Sequence, residues 1–177
     1  MNVILCGMMG AGKSTVGVKL AQRIGWRFCD TDNLITEKYG EIPSIFQRYG
    51  EAHFRRLERE TVVEISAQDK LVIATGGGLV IDEENVKNLR KNGQIIYLCA
   101  SIDTLSKRIK ADGSRPLLQS QSESVTDRLT NLIQLRAPIY EKAANYVITV
   151  DEKTVDEIVE EIVKMTKIDK IKGACTR

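Results

Sequence analysis

The segment NVILCGMMGAGKST, residues 2–15, passes from a short apolar run through a glycine-rich turn into a helical pattern. The run NVILC has the length of one buried strand, and the apolar residues after Lys13 recur with the period of an α-helix. Four more short apolar runs follow, with segments of helical period between them: 26–29, 71–75, 94–99 and 145–150. This alternation predicts an α/β fold with a mostly parallel sheet.

Glycines mark the expected ends of four helices, because glycine adopts the left-handed conformation of a C-terminal cap without strain. They are Gly25, Gly40, Gly50 and Gly93. Two expected helix starts carry capping patterns, at residues 124–127 and 154–157. These signals place helices between the predicted strands.

The length and charge of the chain limit the classes of protein to which it can belong. The 177 residues, of which 42% are apolar, fit a single domain over residues 1–177. The 26 basic and 24 acidic residues nearly cancel, and like charges do not run together in long blocks. This balance argues against a nucleic-acid-binding or membrane-surface protein, so we expect a small-molecule partner and neither nucleic acid nor membrane.

The four cysteines lie far apart in the chain, at positions 6, 29, 99 and 175. Their spacing fits neither a zinc site nor a disulfide scaffold, and it is typical of reduced thiols. No apolar run approaches the roughly 20 residues of a membrane span. The first predicted strand begins at Asn2 and leaves no room for a leader segment. We therefore expect a cytoplasmic protein.

The glycine-rich turn, residues 7–14, matches the P-loop pattern G-x-x-x-x-G-K-[ST] at every defined position. In such a loop, backbone N–H groups converge on phosphate oxygens at a helix N-terminus. Lys13 adds a cation between the outer phosphates, and the hydroxyl of Ser14 can ligate Mg²⁺. A glycine-rich turn that fits by chance is the alternative. The strand before it and the helix after it favour a nucleoside triphosphate site.

Two classes of nucleotide-binding protein lack their usual motifs here. The patterns N-K-x-D and D-x-x-G, by which switch GTPases bind guanine and sense the γ-phosphate, are absent. Large ATPase motors usually end a second apolar strand in aspartate, but the runs LVIATGGG and QIIYLCAS supply none. The acid for a metal ion must therefore come from another part of the chain.

Asp30 and Asp32 are the nearest candidates, since they follow the second predicted strand. The carboxyl ends of parallel strands face the crevice that the P-loop also lines. One acid can hold Mg²⁺ through its waters, and the other can accept the proton of an alcohol or orient it towards the γ-phosphorus. The alternative is that either acid only caps the following helix.

Two arginines are candidates for binding an acceptor molecule. Residues 51–68 form a predicted helix with Phe54, Leu57, Thr61 and Ile65 along one stripe. Arg55 lies three residues before Glu58, which can orient it, although such a pair is often a surface ion pair. Arg136 lies on the apolar stripe of a helix predicted over 125–143, and a buried arginine needs an anion. That anion is either an internal acid or a substrate carboxylate or phosphate.

Two further segments point to a site. Gly76, Gly77 and Gly78 follow the strand LVIAT, and glycines bring bare backbone close to a ligand. A simple flexible turn is the alternative, although two residues usually suffice for one. Residues 110–124 form a long loop with little periodicity, which is typical of a functional loop, such as a mobile lid, or of disorder.

Taken together, these motifs resemble the shikimate kinase family over nearly the full chain. The matching segments are G-x-x-G-x-G-K-S-T-x-G at 7–17, D-T-D at 30–32, F-R-x-x-E at 54–58, G-G-G at 76–78, R-P-L-L at 115–118 and R-x-P-x-Y at 136–140. The resemblance implies ATP-dependent phosphorylation of the 3-hydroxyl of shikimate. It also implies a three-layer P-loop kinase fold with a five-stranded parallel sheet of order 2-3-1-4-5, as in nucleoside monophosphate kinases.

The resemblance also assigns roles to individual residues. ATP phosphates would bind Gly10, Ala11, Gly12, Lys13, Ser14 and Thr15, with Mg²⁺ near Ser14 and, through water, Asp30. Asp32 would contact the ring hydroxyls of shikimate and position or deprotonate the 3-hydroxyl. Arg55, Arg136 and the backbone of Gly77, between Gly76 and Gly78, would hold the shikimate carboxylate. Arg115 would lie over the nucleotide phosphates and Arg108 would stack on adenine, so that Lys13, Asp32 and Arg115 are the catalytic residues.

The same resemblance implies a lid at about 109–123 and an acceptor-binding helical region at about 31–60, and we expect a monomer. One position departs from many relatives: Thr154 stands where a proline packs on adenine.

A nucleoside monophosphate or gluconate kinase would share the P-loop and lid, but two acids beside the acceptor would repel a nucleotide phosphate. A nucleotide-binding module without catalysis would not need Asp32, Arg55 and Arg136.

Overall fold

Five short strands form one sheet in the computed structural model, which describes residues 1–112 and 125–168. The strands are β1 (Asn2–Cys6), β2 (Arg27–Asp30), β3 (Leu71–Ala74), β4 (Gly93–Cys99) and β5 (Tyr146–Thr149). They are parallel and lie in the order β2-β3-β1-β4-β5. Each predicted strand is confirmed to within one residue at either end, and the implied sheet order is confirmed.

Helices flank this sheet. In chain order they are α1 (Lys13–Ile24), α2 (Thr31–Tyr39), α3 (Ile42–Ser66), α4 (Glu83–Lys91), α5 (Ile102–Asp112), α6 (Val125–Ala143) and α7 (Val155–Thr166), with a short 3-10 helix at Leu79–Ile81. Every residue of β1 and β3 is buried. Because side chains of a strand alternate between the two faces, complete burial requires a layer on each face, as the α/β prediction expects.

The predicted helix ends are confirmed at two glycines and differ at two others. Gly25 and Gly40 cap α1 and α2 with positive φ angles of 71° and 94°. Gly50, with φ 78° and ψ 174°, interrupts α3 and changes its direction instead of ending it. The prediction for Gly93 is wrong, since Asn92 caps α4 and Gly93 opens β4. A Cβ atom at Gly93 would clash with the side chain of Ile4, so packing between strands explains this glycine.

The capping pattern at residues 154–157 is confirmed as a capping box at the start of α7. The Glu157 N–H donates to Thr154 Oγ1 at 3.3 Å, and the Thr154 N–H donates to Glu157 Oε2 at 2.7 Å. The pattern at 124–127 begins outside the described residues. Three cysteines of the described chain, Cys6, Cys29 and Cys99, are free thiols.

Two of the predicted regions can be placed on these elements. The acceptor-binding region, 31–60, forms α2 and most of α3. Of the predicted lid, residues 109–112 belong to α5, and residues 113–123 lie outside the described residues. Within the ranges 1–112 and 125–168, no helix is both long and apolar enough to cross a bilayer.

Candidate functional site

The P-loop joins the carboxyl end of β1 to the first turn of α1. Gly7, Gly10 and Gly12 have φ angles of 140°, 81° and 91°, values that other L-residues rarely adopt. Gly12 is also the N-cap of α1 and has no side chain with which to cap the helix. The N–H groups of the first helical turn are thus presented to an anion, as a phosphate site requires.

Lys13 lies over this loop. Its ammonium donates to the carbonyl oxygens of Gly7 at 2.8 Å and Met8 at 2.9 Å. These bonds hold a positive charge beside the convergent N–H groups. Arg108 of α5 approaches the same loop, since its Nη1 donates to the Gly10 carbonyl at 3.3 Å. Two cations therefore border the predicted phosphate site.

Asp30 caps α2, which the sequence left as the alternative to metal binding, and it also contacts the P-loop. One carboxylate oxygen, Oδ1, accepts a hydrogen bond from the backbone N–H of Asp32 at 3.0 Å and caps α2. The other oxygen, Oδ2, accepts from the Ser14 hydroxyl at 2.7 Å. Asp30 is thus both a helix cap and a neighbour of the P-loop hydroxyl.

The donor set at this point suits Mg²⁺, which prefers oxygen ligands and takes only one or two carboxylates. A hydroxyl and a carboxylate oxygen lie 2.7 Å apart at Ser14 and Asp30. Among the described residues, no group of three or more histidine, cysteine, aspartate or glutamate side chains is placed to hold a metal ion. Ser14 and Asp30 would thus hold the ion together with phosphate oxygens and water, as the serine or threonine and the acid of P-loop sites do.

Three glycines bring together the side chains predicted to bind the acceptor. A Cβ atom built on Gly76 would clash with Asp32 Oδ1, and one on Gly78 would lie 2.8 Å from Arg55 Nη1. A Cβ on Gly77 would lie 3.7 Å from Arg136 Nη1. Each glycine of the triplet is therefore packed beside one of the three side chains, which come from α2, α3 and α6. The structure thus groups these six residues at one edge of the sheet.

Two buried polar residues, to which the sequence motifs assigned no role, fix the glycine triplet. The Gly76 N–H donates to Thr31 Oγ1 at 2.9 Å, and the hydroxyl of Tyr140 donates to the Gly77 carbonyl at 2.6 Å. Both side chains are fully buried. Their sequence positions carried a signal, because Thr31 separates the two aspartates and Tyr140 follows Arg136 by one helical turn.

Glu58 orients Arg55 from a buried position. Arg55 Nη1 donates to Glu58 Oε2 at 2.6 Å, and Nη2 donates to Glu51 Oε1 at 2.9 Å. The Glu58 side chain is only 2% exposed, so the alternative of a surface ion pair is wrong. Burial raises the pKa of Glu58, the bond to Arg55 opposes this effect, and the charges of Asp32 and Asp82 add to it. The result is a pKa above the ordinary value.

Arg136 lies partly buried on α6, with Tyr140 as its neighbour. Within residues 1–112 and 125–168, no aspartate or glutamate forms an ion pair with Arg136. The described structure therefore does not supply the internal acid that was the alternative to a substrate anion. Burial raises the pKa of Tyr140, and the positive charge and hydrogen bond of Arg136 only partly oppose it. Tyr140 is thus a neutral hydrogen-bond donor at physiological pH.

Two further predicted contacts have different outcomes. Arg115 lies outside the described residues. Thr154, expected beside adenine, has its hydroxyl in the capping box of α7. The described site can bind phosphates at the P-loop and an anionic molecule with hydroxyl groups beside the glycine triplet.

Comparison with known proteins shows the family of this chain. The family model described as "Shikimate kinase" matches residues 9–167. The shikimate kinase of Thermodesulfovibrio yellowstonii is 42% identical over 164 residues, covering 92% of this chain and 93% of that protein. The shikimate kinase of a Sulfurihydrogenibium species is 43% identical over 168 residues, covering 94% of this chain and 97% of that protein.

Solved structures give the same result. Shikimate kinase from Acinetobacter baumannii in complex with shikimate superposes with a TM-score of 0.87 at 34% identity, covering 96% of this chain and 94% of the other. Shikimate kinase from Bacteroides thetaiotaomicron superposes with a TM-score of 0.86 at 30% identity, covering 94% and 98%. On its sequence and fold, the chain belongs to the shikimate kinase family.

Proposed function

We propose that this protein transfers the γ-phosphoryl group of ATP to the 3-hydroxyl of shikimate, giving shikimate 3-phosphate and ADP. This reaction is a step of aromatic amino-acid biosynthesis through chorismate. The observation that carries the proposal is the grouping of Asp32, Arg55 and Arg136 around the glycine triplet, at the same edge of the sheet as the P-loop. One carboxylate and two guanidinium groups are the chemistry that a polyhydroxy acid requires.

On the nucleotide side, the backbone from Gly10 to Thr15 binds the phosphates of ATP. Lys13 lies over the loop and stabilises the charge that develops on the transferred group. Arg108 remains the candidate for stacking on adenine, and its contact with the Gly10 carbonyl places it beside the loop. The role of Arg115 over the phosphates stays a prediction from the family motif.

Mg²⁺ would be held by the hydroxyl of Ser14 and, through water, by Asp30. When bound, this ion neutralises charge on the β- and γ-phosphates. The other oxygen of Asp30 accepts a hydrogen bond from the N–H of Asp32, so each oxygen of the carboxylate is held by one hydrogen bond. This arrangement supports the assignment of Asp30, and not Asp32, to the metal.

On the acceptor side, Arg55, Arg136 and the backbone of Gly77 bind the carboxylate of shikimate. Glu58 holds the guanidinium of Arg55 at 2.6 Å, so little side-chain freedom is lost when the substrate binds. Gly76 and Gly78 leave room for Asp32 and Arg55, respectively. The site is then positively charged at the carboxylate end and negatively charged at the hydroxyl end.

Asp32 accepts a hydrogen bond from the 3-hydroxyl and directs that oxygen towards the γ-phosphorus. Because the transition state of phosphoryl transfer is loose, the hydroxyl loses its proton late, and Asp32 receives it after positioning the group. Transfer therefore depends on positioning and on charge stabilisation, with no covalent enzyme intermediate.

An ADP-release assay coupled to pyruvate kinase and lactate dehydrogenase tests the proposal. We expect ADP release that requires shikimate and Mg²⁺, and no comparable release with gluconate or AMP as the acceptor. Turnover of gluconate or AMP would favour the related kinases. ATP binding without shikimate-dependent ADP release would favour a non-catalytic nucleotide-binding module.

We also propose that the enzyme acts in the cytoplasm, where ATP is supplied, without nucleic acid or membrane as a partner. The near balance of 26 basic and 24 acidic residues supports this part of the proposal. Fractionation of cells followed by immunoblotting tests the location.

A further inference from the structure

A cavity of about 670 Å³ lies between α4, the 3-10 helix and α6. Apolar side chains form most of its wall: Val80, Ile81, Val86, Pro138, Ile139 and Ala143. None of the residues assigned above to ATP, Mg²⁺ or shikimate lines it. Its volume lies in the range of small-molecule binding sites, which is roughly 300–1,000 Å³.

The charged residues of this cavity are mostly basic. Lys87, Arg90 and Lys142 line it together with one acid, Glu83. Lys142 Nζ lies 2.8 Å from Glu83 Oε1, so these two charges largely cancel. Lys87 Nζ lies 3.7 Å from Glu84 Oε2, so the positive charge that remains at the cavity comes mainly from Arg90.

Arg90 is held at the wall of the cavity by main-chain oxygens. Its Nη2 donates to the carbonyls of Lys142 at 3.0 Å and Ala143 at 3.1 Å, which belong to the last turn of α6. Among the residues that the structure describes, Arg90 forms these bonds and no ion pair with a carboxylate. Its full charge is thus available to an anion in the cavity.

We propose that this cavity binds a small organic acid with an apolar body, and that its occupancy weakens binding of shikimate. The apolar wall would take up the body of the ligand and Arg90 its acidic group. The coupling to shikimate rests on the acceptor site proposed above, whereas the binding site itself does not.

The coupling follows from two elements that the cavity shares with the acceptor site. On α6, Pro138 and Ile139 line the cavity, and Tyr140 donates to the Gly77 carbonyl at 2.6 Å. On the other wall, Val80 follows the glycine triplet by two residues. A ligand that separates these walls moves the Tyr140 end of α6 away from Gly77, and Arg136 moves with it.

Pro138 makes this part of α6 easier to displace. Proline has no N–H, so α6 lacks one of its internal hydrogen bonds beside the cavity. By thermodynamic reciprocity, shikimate must weaken ligand binding by the same factor as the ligand weakens shikimate binding.

The probe is 8-anilinonaphthalene-1-sulfonate, an apolar aromatic anion whose fluorescence rises on binding, applied to the full chain. N-phenyl-1-naphthylamine, which has the same rings without the sulfonate, is the neutral control. We expect Val86→Glu to raise the Kd of the sulfonate probe about tenfold or more, because it places a like charge in the wall. Val18→Glu, the same change at an exposed valine of α1, is expected to leave it unchanged.

Arg90→Gln tests the charge without altering the apolar wall. We expect it to raise the Kd of the sulfonate probe about threefold to tenfold and to leave the Kd of the neutral probe almost unchanged. Thermal unfolding of each variant monitors folding. If neither Val86→Glu nor Arg90→Gln raises the Kd of the sulfonate probe, or if ADP displaces the probe completely, the probe binds elsewhere and the proposed site is wrong.

Shikimate is then titrated against the bound probe. We expect the Kd of the probe to rise about threefold and then to level off, since two coupled sites have a finite effect on each other. A Kd that rises without limit indicates competition at the acceptor site and overturns the proposal. A Kd that does not change overturns the coupling alone, provided that the wild-type protein turns over shikimate in the ADP-release assay.

Discussion

Arg136 is a partly buried cation that lies beside Gly77 at the glycine triplet. Its packing on α6 keeps the guanidinium in place without a carboxylate from the described chain. A substrate carboxylate bound by both arms of this group would form two charge-assisted hydrogen bonds. The energetic importance of Arg136 should therefore appear in substrate binding and not in folding.

We expect Arg136→Ala to raise the KM for shikimate by about 30- to 100-fold, the effect of about 2–3 kcal/mol. The KM for ATP should change less than about twofold. Steady-state kinetics of both substrates measure this difference. The exposed Arg56 of α3, changed to alanine, is the control. An unchanged KM for shikimate together with lower stability would instead show that Arg136 is a structural residue.

Asp32 lies in the first turn of α2, with its carboxylate packed against Gly76. Asp32→Asn keeps the shape of the side chain but removes the charge that attracts the hydroxyl proton. We expect kcat to fall about 100-fold or more, with an unchanged thermal midpoint. Asp103→Asn, the same change in the first turn of α5, controls for the loss of a helix-terminal charge. Near-normal turnover of Asp32→Asn would remove this residue from the mechanism.

Glu58 gives the stability of the protein a distinctive pH dependence. Burial raises its pKa above the ordinary 4.5, against the opposing effect of Arg55. The folded state thus binds this proton more tightly than the unfolded state, and stability is lost as pH rises through the raised pKa. Glu58→Gln removes this loss, so its free energy of unfolding relative to the wild type should rise as the pH increases above 4.5 and through the raised pKa of Glu58.

Urea denaturation at several pH values measures this difference. Glu51→Gln is the matched control, because Glu51 binds the same arginine from an exposed position, where water solvates it in both states. A difference for Glu58→Gln that is constant with pH, or that falls as pH rises, would contradict the interpretation.

At the scale of elements, the loop after β3 is packed between three helices. Gly76 and Gly78 have no room for a Cβ atom beside Asp32 and Arg55, whereas Gly77 has ordinary van der Waals space. Because none of the three has a positive φ angle, alanine is compatible with the backbone at all three positions. Substitution at each glycine therefore tests only the contact with its neighbouring side chain.

We expect Gly76→Ala to lower kcat/KM for shikimate about tenfold or more, since the new methyl group displaces the Asp32 carboxylate. Gly77→Ala should lower it less than about threefold. The ADP-release assay compares the two variants, and circular dichroism verifies that both are folded. Equal losses from the two substitutions would contradict the proposed packing.

The same elements show what the sequence could predict. Hydrophobic runs located all five strands, and the family motifs predicted the order of the strands in the sheet. Both signals are local patterns of the sequence. The end of α4 was misplaced by one residue, since Gly93 is needed for its contact with Ile4 and not for its backbone angles. The bonds of Thr31 and Tyr140 to the glycine triplet join positions 45 and 63 residues apart, and no local pattern contains such information.

For the whole molecule, the parallel sheet is what brings the site together. The carboxyl ends of β1, β2 and β3 are adjacent, and they lead into the P-loop, Asp30 and the glycine triplet. Residues far apart in the chain therefore meet at one edge. The pairing of each glycine with one particular side chain was not predictable, because it depends on how α2, α3 and α6 pack.

The described residues of one chain supply the P-loop, Asp30, Asp32, Arg55 and Arg136, so the proposed site needs no second copy. Large exposed apolar side chains in this part of the protein are distributed over several elements: Val18, Tyr39, Phe46, Tyr49, Val63, Ile81, Leu135 and Val147. We expect a monomer of about 19.8 kDa by light scattering after size-exclusion chromatography. A stable dimer at micromolar concentration would contradict this expectation.

The glycine triplet also affects how tolerance to mutation should be interpreted in this family. Gly76 and Gly78 carry no side chain that could act in a reaction, yet their neighbours leave no space for even a methyl group. An alanine scan normally identifies important residues by deleting atoms, but at these two positions it adds them. Intolerance there would report the volume reserved for Asp32 and Arg55, and libraries meant to alter acceptor preference should keep both glycines fixed.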